Sequence, residues 1–93
     1  MEIKDNTFLR QFETHYEGKL VTVEYAFQER KIFLTKTNKP DGVPEEFMSD
    51  FLKEILSIAE ERKLKVVPTF PKIAAFFRKN PKYKELLPPG IKI

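Results

Sequence analysis

Few side chains in this chain can do chemistry, and their types exclude more than they admit. Among 93 residues there is no cysteine and one histidine, His15. Those counts rule out a thiolate nucleophile, a disulfide framework, a zinc–thiolate site and a multi-histidine metal site. The three glycines, Gly18, Gly42 and Gly90, fit neither the dinucleotide fingerprint nor a phosphate-cradling loop. Glu45 and Glu46 are adjacent, so they do not project together as an acid/base pair; they suit the positive end of a helix dipole. His15 falls in a predicted strand beside a turn. A partly exposed, chemically idle ring is the expected reading there, with a general base as the sharper one. Phe76-Phe77-Arg78-Lys79 would serve base stacking beside phosphate contacts. An amphipathic helix with a buried aromatic face and a solvated basic face produces the same string.

Charge is unevenly distributed. The net value of +3 is the balance of two unlike parts. Residues 1–61 carry eight basic and thirteen acidic side chains, net −5, whereas residues 62–93 carry nine and one, net +8. Such a basic end suits an acidic protein or a nucleic acid, through Lys72, Arg78, Lys79, Lys82 and Lys84. The blander reading, and the expected one, is an intramolecular contact with the acidic helix and strands, or a solvated surface. No apolar run approaches the ~18 residues of a membrane span, and the N-terminal MEIKDNTFLR lacks an apolar signal core. These features, with the absence of cysteine, fit a cytoplasmic protein.

The elements that must position these groups read as one domain, residues 1–93. Phe8, Phe12 and Tyr16 recur at even positions and predict a strand over 8–16. Glu17-Gly18-Lys19 is a turn. Residues 20–27 form a second strand with Val21, Val23, Tyr25 and Phe27 on one face, and KIFLTKT (31–37) a third, after the turn Gln28-Glu29-Arg30. NKPDGV (38–43) is a loop. A helix is predicted from about Pro44 to Arg62, with Phe47, Phe51, Ile55 and Ile58 at helical spacing. Lys65 to Val67 is a short strand. Pro71 opens a second helix that Asn80-Pro81 ends, and Tyr83 to Leu87 forms a further turn. The class is α+β: an antiparallel three-stranded meander, then helix-strand-helix, in the order β-β-β-α-β-α.

Three segments carry a family resemblance. They are Phe12-Glu13 with Gly18 and Tyr25, then Leu52 to Val67 (LKEILSIAEERKLKVV), and most specifically Pro68 to Leu87 (PTFPKIAAFFRKNPKYKELL). The last is similar to the Pro-x-Cys-x-x-Val-x-x-Tyr-x-x-x-His-Pro-Glu-Tyr-x-x-Leu stretch of small single-domain GNAT-like N-acetyltransferases. Pro68, Ala74, Ala75, Pro81, Tyr83 and Leu87 fall in step with it. The resemblance implies a GNAT-like fold that cradles acetyl-CoA, with the pyrophosphate on backbone amides at the start of the long helix.

The chain departs from that pattern where the family's chemistry sits. Phe70 occupies the cysteine position. Val43 to Met48 (VPEEFM) either stands where the glycine-rich phosphate loop belongs, without glycine or a basic residue, or matches the segment before a deleted loop; both registers remove the glycines. Thr35 or Lys36 takes the place of a strand-end histidine, and Asn80 that of the later histidine. The resemblance therefore implies Thr35, Lys36, Ser49, Lys79 and Asn80 as cofactor contacts, and His15 or Tyr83 as the group for proton transfer. The expectation is a divergent acetyltransferase-type protein with weak or lost transfer to an amine. The alternative is a non-catalytic binding module that uses the basic C-terminal third. Neither reading calls for a metal.

Overall fold

Alternating apolar residues build a sheet, and residues in left-handed conformations cut it into strands. A computed structural model describes residues 1–91 and 93. Four antiparallel strands come first: β1 (Lys4–Asn6), β2 (Gln11–Tyr16), β3 (Lys19–Gln28) and β4 (Lys31–Asn38). Helix α1 (Glu45–Glu61) then crosses to β5 (Lys65–Pro68), which pairs parallel with β4. Helix α2 (Pro71–Lys79) and a 3-10 helix (Pro81–Leu86) follow. The result is an α+β domain with a five-stranded mixed sheet in the order β1-β2-β3-β4-β5.

The predicted β-β-β-α-β-α order undercounts the strands by one. The expected strand over 8–16 begins only at Gln11, as β2; residues 7–10 are a turn, and the extra strand β1 precedes it. Asn6 Oδ1 accepts the Leu9 N–H at 3.0 Å, and Arg10 takes φ 55°. This side chain-to-backbone contact stabilises a turn that competes with strand continuation. Phe8 consequently points into water, 93% exposed, although its spacing matched Phe12 and Tyr16. The next hairpin is as expected: Glu17 and Gly18 have φ 48° and 79°, the double left-handed pair of a two-residue turn whose twist matches the strands.

One face of the sheet carries the core. Cross-strand partners share a face, so Phe12 with Val23, Thr14 with Val21 and Tyr25 with Leu34 line the inner side. Phe51, Ile55 and Leu56 of α1 and Ile73, Phe76 and Phe77 of α2 join them in one buried cluster. The α1 residues recur at the three- and four-residue spacing that an apolar helix face requires. Phe27 occupies the inner face as expected, yet at the strand's end it stays 45% exposed. Two threonines are buried. Thr14 donates to the Glu2 carbonyl at 2.8 Å, and Thr22 accepts from Asn38 Nδ2 at 2.9 Å. Among the described residues no buried polar side-chain atom lacks a partner.

A polar link ties the edge strand to the helix. Tyr25 donates its phenol proton to Asp5 Oδ1 at 2.5 Å, and Arg62 donates to Asp5 Oδ2 at 2.9 Å. One carboxylate on β1 thus holds β3 and the end of α1. Burial and this hydrogen bond push the Tyr25 hydroxyl up from 10 to about 12. The folded state therefore favours the neutral phenol. Stability from this group is complete below pH 10 and is lost as pH rises through 12. In an absorbance titration of the folded protein, one tyrosine should ionise near pH 12, and it should be missing in Tyr25→Phe. Denaturant midpoints should fall more steeply across that window in the wild type than in the variant.

Candidate functional site

The parallel pairing of β4 and β5 is short, and its end creates a cleft. The strands pair from Lys31↔Lys65 to Leu34↔Pro68. Pro68 has no N–H to donate. Thr69 makes the last contact, donating both its N–H and its hydroxyl to the Leu34 carbonyl at 3.2 Å. Phe70 is then extended, and Pro71 starts α2. Meanwhile β4 runs on to Asn38 against β3. Its register shifts there: Glu24 faces Lys36 and Tyr25 faces Leu34, so Thr35 is the extra residue of a bulge. The Thr35 hydroxyl caps the bulge by donating to the Glu24 carbonyl at 3.2 Å. From Thr35 to Asn38, the β5 side of β4 has no strand against it among the described residues.

A cleft of about 190 Å³ opens beside this edge. Thr37 contributes from the end of β4 and Lys39 from the loop after it, Met48, Ser49 and Leu52 from the first turns of α1, and Lys72, Ala75, Phe76 and Lys79 from α2, with Asn80 at its C-cap. Lys72 and Lys79 are seven residues apart, two helical turns, which puts both ammonium groups on one side of α2. Met48, Leu52, Ala75 and Phe76 supply an apolar wall. Asn80 is engaged locally, its Nδ2 donating to the Phe76 carbonyl at 2.9 Å.

The start of α1 forms one rim. Its N-cap is Pro44, which offers no side-chain cap to the first amides. Lys39 closes the loop beneath. Its Nζ donates to the Val43 carbonyl at 2.8 Å and lies 3.1 Å from Glu45 Oε1. Gly42 is required nearby: φ is 89°, and a β-carbon there would lie 2.6 Å from Lys19 Nζ, which donates to the Asp41 carbonyl. The cleft thus combines two exposed lysines, a third lysine bound to the loop and one carboxylate already engaged by it.

The predicted site residues separate under this geometry. Ser49, Lys79 and Asn80 line the cleft together. Thr35 and Lys36 lie on the adjoining bulge without lining it. His15 is exposed on β2, in a shallow depression with Glu2, Ile3, Lys4 and Glu13. Tyr83 sits on the 3-10 helix, its ring 5.7 Å from that of Phe76, and lines a different depression with Lys53 and Glu60. Neither of the two expected proton-transfer groups lines the cleft. Phe70 is half-buried against the core. Among the described residues no cluster of His, Cys, Asp or Glu could hold a metal, and no helix is long and apolar enough to cross a membrane.

Thr37, Lys39 and Lys72 were not singled out as cofactor contacts from the sequence. Lys39 precedes a Pro-Asp-Gly loop whose path decides whether it meets Glu45, six residues on. Lys72 carried a signal in its spacing from Lys79. No protein-family model matches the chain, and no curated protein matches it in sequence. Replacing Lys39 by Met should leave the Val43 carbonyl without its charged donor. Urea unfolding should show a loss of about 1–2 kcal/mol, with Lys39→Arg retaining more of the stability.

Proposed function

We propose that this chain is a divergent GNAT-like domain whose cleft takes an anionic, amide-bearing acyl carrier of the acetyl-CoA type, with little or no transfer. The observation that carries the reading is the unpaired edge of β4 beside the start of α1, at the mouth of the cleft. An extended arm with amide groups can hydrogen-bond to such an edge as an added strand does. The apolar wall suits its methylenes, and Lys72 and Lys79 suit its phosphates. The parallel β4–β5 pair that separates at a bulge supports the GNAT-like assignment, as does the antiparallel start of the sheet. At about 190 Å³ the cleft takes part of the arm, and the rest of the carrier would lie outside it in solvent.

Affinity is expected to be low for a stated reason. Pro44 lacks a donor, and Glu45 and Glu46 bring negative charge to the helix start. Each screened carboxylate opposes a diphosphate by about 1 kcal/mol, and each lost amide bond costs about as much, so binding weakens by roughly two orders of magnitude. Acetyl transfer also requires the amine nitrogen to attack the thioester carbonyl while losing a proton, with the thiolate departing. The one carboxylate lining the cleft, Glu45, is paired with Lys39, and Phe70 offers neither nucleophile nor base.

Titration of isotope-labelled protein with acetyl-CoA should give saturable amide shifts at Thr37, Ser49 and Lys72. The double variant Lys72→Glu, Lys79→Glu should weaken binding by at least about tenfold. Thiol release with a panel of amines should stay at the buffer rate. Absence of shifts at millimolar ligand would overturn the binding reading, and amine-dependent thiol release would overturn the loss of transfer.

A further inference from the structure

The basic third of the chain remains electrostatically unsatisfied in the folded protein. Lys72, Arg78, Lys79, Lys82 and Lys84 are all exposed, and none is in an ion pair among the described residues. The two ion pairs found there are Lys39–Glu45 and Arg62–Asp5. The acidic face of α1 therefore does not neutralise α2. Glu60 and Glu85 share a depression with Lys82, and Glu85 is the one acid on α2 or the segment after it. Local roles account for part of the cluster. Arg78 and Lys79 sit in the last turn of α2, where the dipole favours cations, and Lys82 lies 5.3 Å from the centre of the Tyr83 ring. Both roles leave the charged heads in water. Lys84 likewise sits in the last turn of the 3-10 helix, and Lys72 has no such role.

We infer that the exposed side of α2 and the 3-10 helix is a binding surface for the phosphate backbone of duplex DNA, without readout of base sequence. Charge complementarity selects a polyanion: five unpaired cations fall within thirteen residues of chain. The placement of the aromatic rings selects a duplex over a single strand. Phe76 and Phe77 are buried, and Tyr83 is half-buried beside Phe76, so this surface presents no fully exposed ring to stack on an unpaired base. Lysine-rich contacts neutralise phosphates and carry no sequence information. Helix α2, nine residues and about 13 Å long, is long enough to follow several phosphates along one strand. The inference goes beyond the acyl-carrier reading. Arg78, Lys82 and Lys84 lie outside the cleft, so the two can fail separately.

Fluorescence anisotropy with a labelled short DNA duplex tests this. With three to five phosphates contacted, affinity should fall by roughly 40- to 500-fold between about 50 and 200 mM salt. Replacing Arg78, Lys82 or Lys84 singly by Gln should lower the salt slope by about one each. The triple change of these residues to Glu should abolish duplex binding while leaving the acetyl-CoA shifts and the folded amide spectrum in place, with a small drop in melting temperature from the lost helix-end cations. The inference is overturned by no binding at low salt, by a salt-independent affinity, or by tighter binding of the separated strand. Equal competition by polyglutamate at matched charge would overturn it in favour of an acidic protein partner.

Discussion

The four-residue parallel pairing of β4 with β5 is the constraint on which the arrangement of this protein depends. A longer pairing would fill the space between the strands. A shorter one would leave Val66 and the end of α1 without a partner layer. The stop is chemical: Pro68 removes a ladder donor, Thr69 spends both of its donors on the Leu34 carbonyl, and Pro71 commits the chain to a helix. On the other side, the bulge at Thr35 turns β4 at the same level. The cleft is what remains when one strand continues and its neighbour leaves.

Electrostatics and packing divide the molecule differently. Packing treats it as one body, with residues of β2, β3, β4, β5 and both helices in a single cluster. Charge splits it into an acidic part ending near Glu61 and a basic part after it. The junction is bridged by Arg62, which reaches back 57 residues to Asp5. Exposed pairs of this kind contribute little each, commonly below about 1 kcal/mol. The fold thus rests on its buried apolar contacts, and its surface charge stays available for binding.

Much of the fold was legible because the apolar periods are clean. The spacing of Phe51, Ile55 and their neighbours predicts α1 to within a residue at each end, and Pro71 with Asn80-Pro81 brackets α2. The first strand was misread because Phe8, Phe12 and Tyr16 obey a period of two while the backbone between them turns. The determinant lies in Asn6 and Arg10, two ordinary residues in a turn geometry that many sequences adopt. The cleft was half legible. The resemblance brings Ser49, Lys79 and Asn80 forward, and the cleft between α1 and α2 groups them. Lys39 depends on how the 38–43 loop folds back, and His15 and Tyr83 are candidates by the resemblance, with no spacing that ties either to the cleft. A chemical type marks what a side chain can do, whereas its place is decided by the elements that carry it.

The two borders of the sheet share a property. The outermost strands, β1 and β5, have three and four residues, against ten and eight for β3 and β4 in the interior. Beside Lys4 and Asp5, β1 offers a neighbouring molecule very little unpaired backbone, and β5 ends in a proline that cannot donate. Outer strands that short give a second chain little to pair with edge to edge. Growth of the sheet from these two outer strands is thereby disfavoured at high concentration.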